Sequence, residues 1–237
     1  MEVTLLNRPN EIEAIIATAA RTCYSPKKIK DIINTVHEKQ EENNTFVKHL
    51  REMGHESPLE HVSFTFGIDG VSRALTHQLV RHRIASFSQQ SQRYVNGENF
   101  GFVIPPDIEK DENLKKMFNS YMLHTKRYYK YLVDKGIKKE DARYLLPNST
   151  TTNIVVTMNV RELIHFFSLR CCTRAQWEIR ELAWKMLKIC KEVAPSIFNG
   201  CGAFCDQNHY CKEGSMSCGR YPVLANLLNP EEDTRHV

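Results

Sequence analysis

The chain has 237 residues, 41% of them hydrophobic and 25% charged, with a formal net charge of +4; this is ordinary globular composition with room for one sizeable core. So small a charge excludes the dense phosphate-neutralising surface of a nucleic-acid binder, while small anionic ligands fit. No apolar run is long enough to cross a bilayer and the opening MEVTLLNRPN has no signal-like stretch, so a cytoplasmic protein with no membrane partner is expected.

In chain order, VTLLN reads as a short strand, and Asn10 ahead of Glu11 and Glu13 reads as a helix cap with acidic residues near the positive end. The lysine-bearing stretch from Pro26 to Met53 reads as helical and stops at Gly54. HVSFTFGID (61–69) alternates Val62, Phe64, Phe66 and Ile68 with small polar residues, the pattern of a half-buried strand, and a helix follows from Val71 to about Val80. GFVIPPDI marks a loop before a long helix from about Asn113 to Lys135, whose Tyr128, Tyr129 and Tyr131 divide between a wet and a packed face. TTTNIVVTMNV is β-branched and should be a strand; Arg161–Arg170 and Gln176–Val193 read as helices. With no repeat or linker, the expected fold class is α/β (α+β), a single domain over 1–237 with a central sheet flanked by helices and a less regular tail from about 195.

The basic residues are segregated. Between residues 49 and 109 there is no lysine but Arg51, Arg73, Arg81, Arg83 and Arg93; from 140 to 184 there is again none, but Arg143, Arg161, Arg170, Arg174 and Arg180. Arginine is preferred where a planar fork must hold phosphate or carboxylate, so two stretches converging on an anionic ligand are expected, against chance and structural ion pairs. Arg73, His77 and Arg81 are four apart, with Gln78 beside them, and give the helix a polar stripe. If the segment beyond is extended, Ser91 and Arg93 project to one side. Arginine and serine would then take a phosphate, and Gln78 or Gln89 a base or sugar edge.

Arg81-His82-Arg83, with Ser86, Ser91 and Arg93 at their spacings, spells RHRxxSxxxxSxR. In this the chain resembles the flavin-dependent thymidylate synthases. HESPLEH at 55–61, AR at 142–143, NVRELIHF at 159–166 and LR at 169–170 follow in that family's order, and only the tail after Pro195 is weakly covered. The resemblance implies a homotetramer whose active sites are shared between subunits, binding FAD, dUMP and 5,10-methylenetetrahydrofolate, with NADPH as the flavin's reductant. It implies FAD contacts at Ser57, Arg81, His82, Arg83, Gln89, Asn159, Arg161 and His165. It implies dUMP contacts at Gln78, Arg81, Gln89, Ser91, Arg93, Arg143 and Arg170. Gln89 and His165 stand where other members carry different polar residues.

Methylating a uracil carbon needs electron density at that carbon. A guanidinium near N3 and its flanking carbonyl favours the electron-rich ring, which is the catalytic part the resemblance gives to Arg170; the role is electrostatic, since arginine does not act as a base. His55 and His61 with Glu56 and Glu60 look like metal ligands, but Pro58 interrupts the helical geometry of a zinc protease motif, and no metal is expected there. Eight cysteines do not suit a disulfide scaffold and read as reduced thiols, Cys171 and Cys172 as inert ones. Cys201, Cys205, Cys211 and Cys218 are spaced more loosely than paired zinc ligands, so free thiols are placed ahead of metal. Two rivals remain at this stage: an RNA-binding module using the arginine-rich stretches, and a methyltransferase whose nucleophile is Cys171 or Cys172.

Overall fold

The computed structural model describes residues 1–95 and 97–228. The chain runs β1 (Glu2–Asn7), α1 (Ile12–Tyr24), α2 (Ile29–His37), α3 (Gln40–Glu52), β2 (Ser63–Ser72), α4 (Arg73–Leu79), β3 (Ala85–Gln89), α5 (Pro106–Glu109), α6 (Glu112–Asp134), α7 (Lys139–Ala142), β4 (Thr151–Asn159), α8 (Val160–Arg170), α9 (Trp177–Val193), α10 (Pro195–Phe198), α11 (Phe204–Asn208) and α12 (Leu224–Leu228). This is the mixed helix-and-sheet class expected. The strands form one sheet in the order β1-β2-β4-β3. β2 and β4 are antiparallel: the Arg73 N–H donates to Thr150 O at one end (3.1 Å) and the Val160 N–H to Val62 O at the other (2.9 Å).

The chain forms two compact units, one of Met1–Thr4 with Phe66–Thr157, the other of Leu5–Thr65 with the chain from Met158 onward. The divisions fall inside β1, β2 and β4 rather than in linkers. The first unit holds most of the sheet. Alternation buries Phe66 and Ile68 on β2 and Thr152, Ile154 and Val156 on β4. Gly70 interrupts the β2 rhythm with φ +71°, a conformation glycine adopts without penalty, and beyond it Val71 and Ser72 are both buried. Ser72 then caps α4 by accepting from the Leu75 N–H (3.0 Å), so the helix begins at Arg73 rather than at Val71.

The long helix α6 starts where Asp111 accepts from the amides of Asn113 and Leu114. Its packed face carries the fully buried Tyr129, whose hydroxyl accepts from the Gly97 N–H (3.3 Å), while Tyr128 and Tyr131 are exposed and stack on each other. A Cβ at Gly97 would stand 3.0 Å from the Tyr129 ring, so only glycine lets the strand-to-helix connection lie this close.

In the second unit α1, α2 and α3 pack together. The stretch expected as one helix over 26–53 is two, because the chain turns at Glu38 and Lys39. Asn43, buried on α3, donates its amide to Val36 O at the end of α2 (2.7 Å) and fixes that corner. Nor does Asn10 cap α1: the N-cap is Glu11, with no side-chain bond. Aromatic rings close the core of this unit. Phe198 meets Phe64 edge-on at 5.8 Å and Phe167 at 6.1 Å, and all three are fully buried. Among the described residues no helix is long and apolar enough to cross a membrane.

Phe198→Ala removes the ring shared by both edge contacts and is expected to cost about 3–5 kcal/mol, read as a lower urea midpoint at unchanged slope. A loss under about 1 kcal/mol would show that the cluster packs loosely.

Candidate functional site

In the first unit the predicted nucleotide residues are Gln78 on α4, Arg81 just beyond it, Gln89 at the end of β3, Ser91 and Arg93 on the turn that follows, and Arg143 directly after α7. The sequence did not mark β3 as a strand: ASFSQ has too few branched residues, and its pairing beside β4 is a tertiary effect. At its end the Gln89 side chain donates to the Thr76 hydroxyl on α4 (2.9 Å). The next residue is held through both of its flanking peptides. The Gln90 N–H donates to Asn153 O on β4 (2.9 Å), and the Gln90 carbonyl accepts from Arg73 Nη2 (2.8 Å).

The extended reading of Ser91–Arg93 is corrected here. The chain turns after Ser91: the Arg93 N–H donates to the Ser91 hydroxyl (3.2 Å) and the Val95 N–H to Ser91 O (3.1 Å). A serine oxygen competing for nearby amides favours a turn over an extended run. Arg93 reaches the Glu140 carboxylate (3.1 Å) and Arg143 Nε donates to Glu140 O (3.1 Å). Burial foremost, then the charge of Arg143, depresses the affinity of Arg73 for its proton. Of these three guanidinium groups only Arg93 meets a carboxylate, while Arg143 and Arg73 donate to the backbone carbonyls of Glu140 and Gln90.

Beside them lies a cavity of about 260 Å³, lined by Arg73, Ser91, Gln92, Asn99, Thr150 and Thr152 among others and by no acidic residue. The polar stripe of α4 is only partly as expected. Arg73 turns to Gln90, His77 is exposed, and Arg81 lies beyond the end of the helix. Gln78, half-buried, donates to Ala74 O within α4. Arg81 and Arg83 are exposed, with no side-chain partner among the described residues, whereas His82 between them is buried.

The second unit carries the other predicted residues. Ser57 is exposed at the head of a 3-10 turn, Ser57–His61. Arg161 Nε donates to Glu56 (3.1 Å), and Nη1 donates to Glu60. The two glutamates of HESPLEH therefore orient an arginine. Asn159 Oδ1 caps α8 by accepting from the Glu162 N–H (2.8 Å), which leaves its amide hydrogens to donate elsewhere. His165 is exposed one turn beyond Arg161 on the same face. Arg170, half-buried at the end of α8, lines a cavity of about 180 Å³ with Cys172, Arg174, Phe204, Cys205 and Lys212 among its other walls. That the tail walls Arg170 had no signal in the sequence, since neither spacing nor period links residues so far apart.

Cys171 is buried, and desolvation foremost pushes its thiol up to about 12, so it stays protonated and is no nucleophile near neutrality. Cys205 accepts from Arg220, which also pairs with Asp206 (2.9 Å). Among the described residues no three metal-binding side chains converge on one point.

A family described as "Thymidylate synthase complementing protein" matches residues 4–196. The chain is 48% identical over 244 residues to the flavin-dependent thymidylate synthase of Clostridium tetani, covering 96% of each. It is 49% identical over 230 residues to that of Geobacter sulfurreducens, covering 96% of this chain and 98% of the relative. It is 46% identical over 224 residues to that of Pyrococcus abyssi, covering 91% of each.

The thiols give a direct check on the site's chemistry. A hydrogen bond from Thr173 foremost draws exposed Cys218 below the ordinary thiol range, so its thiolate persists to lower pH. Its alkylation rate is expected to rise on the acid side of a free cysteine's, and at about pH 7.5 Cys23 and Cys218 should label before Cys171, Cys190 and Cys201. Peptide mapping that found Cys171 labelled as fast as Cys218 in the native protein would revive a cysteine nucleophile.

Proposed function

The chain belongs to the flavin-dependent thymidylate synthase family, and from that footing we propose that it converts dUMP to dTMP with methylene from 5,10-methylenetetrahydrofolate. Its flavin is FAD, and NADPH is the reductant. The observation that carries the reading is the surplus of guanidinium near the turn after β3, where Arg93 pairs with the Glu140 carboxylate, Arg143 is held by the Glu140 carbonyl, and the adjoining cavity has no acidic wall. A nucleotide phosphate brings the charge that balances it. Ser91 and Gln89 complete the polar contacts, and Gln78 and Arg81 take the uracil nucleotide's remaining edges.

The donor set also fits a flavin dinucleotide. Arg81 and Arg83 are free to donate, Ser57 and His165 are exposed, and Asn159 keeps its amide hydrogens. Arg161, oriented by Glu56 and Glu60, retains Nη2 for an outside acceptor. His82 and Gln89 complete the assigned FAD contacts. When bound, FAD supplies the hydride that reduces the transferred carbon to a methyl group.

Arg170 supplies the electrostatic part. Its planar fork donates to the uracil at N3 and the neighbouring carbonyl, and it stabilises the negative charge that makes the ring nucleophilic. The half-buried setting of Arg170 favours this, because a partly desolvated cation acts more strongly than a hydrated one. The working assembly is a homotetramer in the cytoplasm, each site drawing residues from several subunits.

Purified protein is expected to be yellow and to form dTMP from dUMP when given methylenetetrahydrofolate and NADPH. Arg170→Ala should retain FAD and lose about 10²–10³ in kcat, the size found when one preorganised donor is removed. Colourless protein that neither takes up FAD nor oxidises NADPH with dUMP present would overturn the reading; near-normal turnover in Arg170→Ala would remove that residue's role.

A further inference from the structure

Arg73 has no part in the nucleotide contacts assigned above, yet its surroundings single it out. Its Nη2 is spent on the Gln90 carbonyl, while its Nε is buried and without a partner. Two more unpartnered buried atoms are the hydroxyls of Thr150 and Thr152, residues that line the same cavity as Arg73, Ser91 and Gln92. Buried polar groups are normally satisfied, so this concentration around one acid-free cavity is a place where an oxyanion would supply the missing partners.

The peptide geometry adds a direction. In a trans peptide the carbonyl and the following N–H point opposite ways, so an arginine holding the Gln90 carbonyl turns the Ser91 N–H away from itself. The Gln90 N–H, which belongs to the preceding peptide, is tied to Asn153 O, so Gln90 is held on both sides of its Cα. The Ser91 N–H has no partner among the described residues. It stands beside the Ser91 hydroxyl and the turn that carries Arg93.

We propose that Arg73 is a positioning residue for the substrate's phosphate: by gripping the Gln90 carbonyl it aims the Ser91 amide and the Ser91–Arg93 turn at the phosphate. The inference rests on the proposed dUMP-binding reading and adds a residue to it. Its positive charge also adds to those of Arg93, which pairs with the Glu140 carboxylate, and of Arg143, which donates to the Glu140 backbone carbonyl.

The test compares dUMP with 2′-deoxyuridine, which lacks the phosphate, by calorimetric titration of the FAD-loaded protein. Arg73→Met should weaken dUMP about tenfold or more, the scale of one charge-assisted contact, while deoxyuridine binding and FAD content stay as in the wild type. At saturating dUMP kcat should hold, so the change falls on KM. Arg73→Lys keeps the charge without the fixed fork and should lie between the two; it carries the same comparison if Arg73→Met does not fold. Parallel weakening of dUMP and deoxyuridine would reveal a general structural role and overturn the inference, as would unchanged dUMP binding. If the wild type binds no dUMP at all, the reading beneath it fails instead.

Discussion

The residue after β3 is held by two hydrogen bonds, one to each of the peptides that flank it. Gln90 is tied through its N–H to β4 and through its carbonyl to Arg73 at the head of α4. Neither bond involves a ligand, so the turn that bears Ser91 and Arg93 is set by the fold before anything binds. Preorganisation of this kind spares a ligand the cost of ordering the loop. It depends in turn on the Ser72 cap, which starts α4 at the residue whose side chain reaches Gln90.

Charge is placed differently in the two units. Around the turn in the first, Arg93 pairs with the Glu140 carboxylate while Arg73 and Arg143 donate to backbone carbonyls, which neutralise no charge and leave positive potential there. In the second, Arg161 is held by two carboxylates, and the pairing fixes the direction of the fork rather than leaving charge to spare. Exposed ion pairs contribute little to stability, so what the Glu56 and Glu60 contacts supply is orientation. Thus the same residue type serves as charge in one place and as an aimed donor in the other.

The fold was legible wherever one periodicity dominated. Val62, Phe64, Phe66 and Ile68 alternate as expected and are all buried, and the long helix lies within a residue or two of its expected ends. Legibility failed where tertiary contact decided. β3 becomes a strand because β4 offers it an edge, and the helical stretch 26–53 breaks because Asn43 ties α3 to the end of α2. At the candidate site the motif residues were legible through RHRxxSxxxxSxR and the lysine-free stretches. What escaped was the contact that ties them: Arg73 read as one member of a helical stripe, while its actual partner is a backbone carbonyl seventeen residues on. The walling of Arg170 by the cysteine-bearing tail was equally out of reach, because no local pattern encodes it.

Relatives in bacteria and archaea match nearly the whole chain. The central claim is that the turn after β3 is a phosphate cradle already set by the two hydrogen bonds of Gln90, one to the β4 backbone and one to the Arg73 side chain. A crystal structure of the protein with dUMP tests it most directly. The account predicts the phosphate within hydrogen-bond reach of the Ser91 hydroxyl and of the Arg93 and Arg143 guanidinium groups, with the Gln90 peptide unmoved. A nucleotide bound elsewhere, or a Gln90 peptide flipped away from Arg73 on binding, would contradict it.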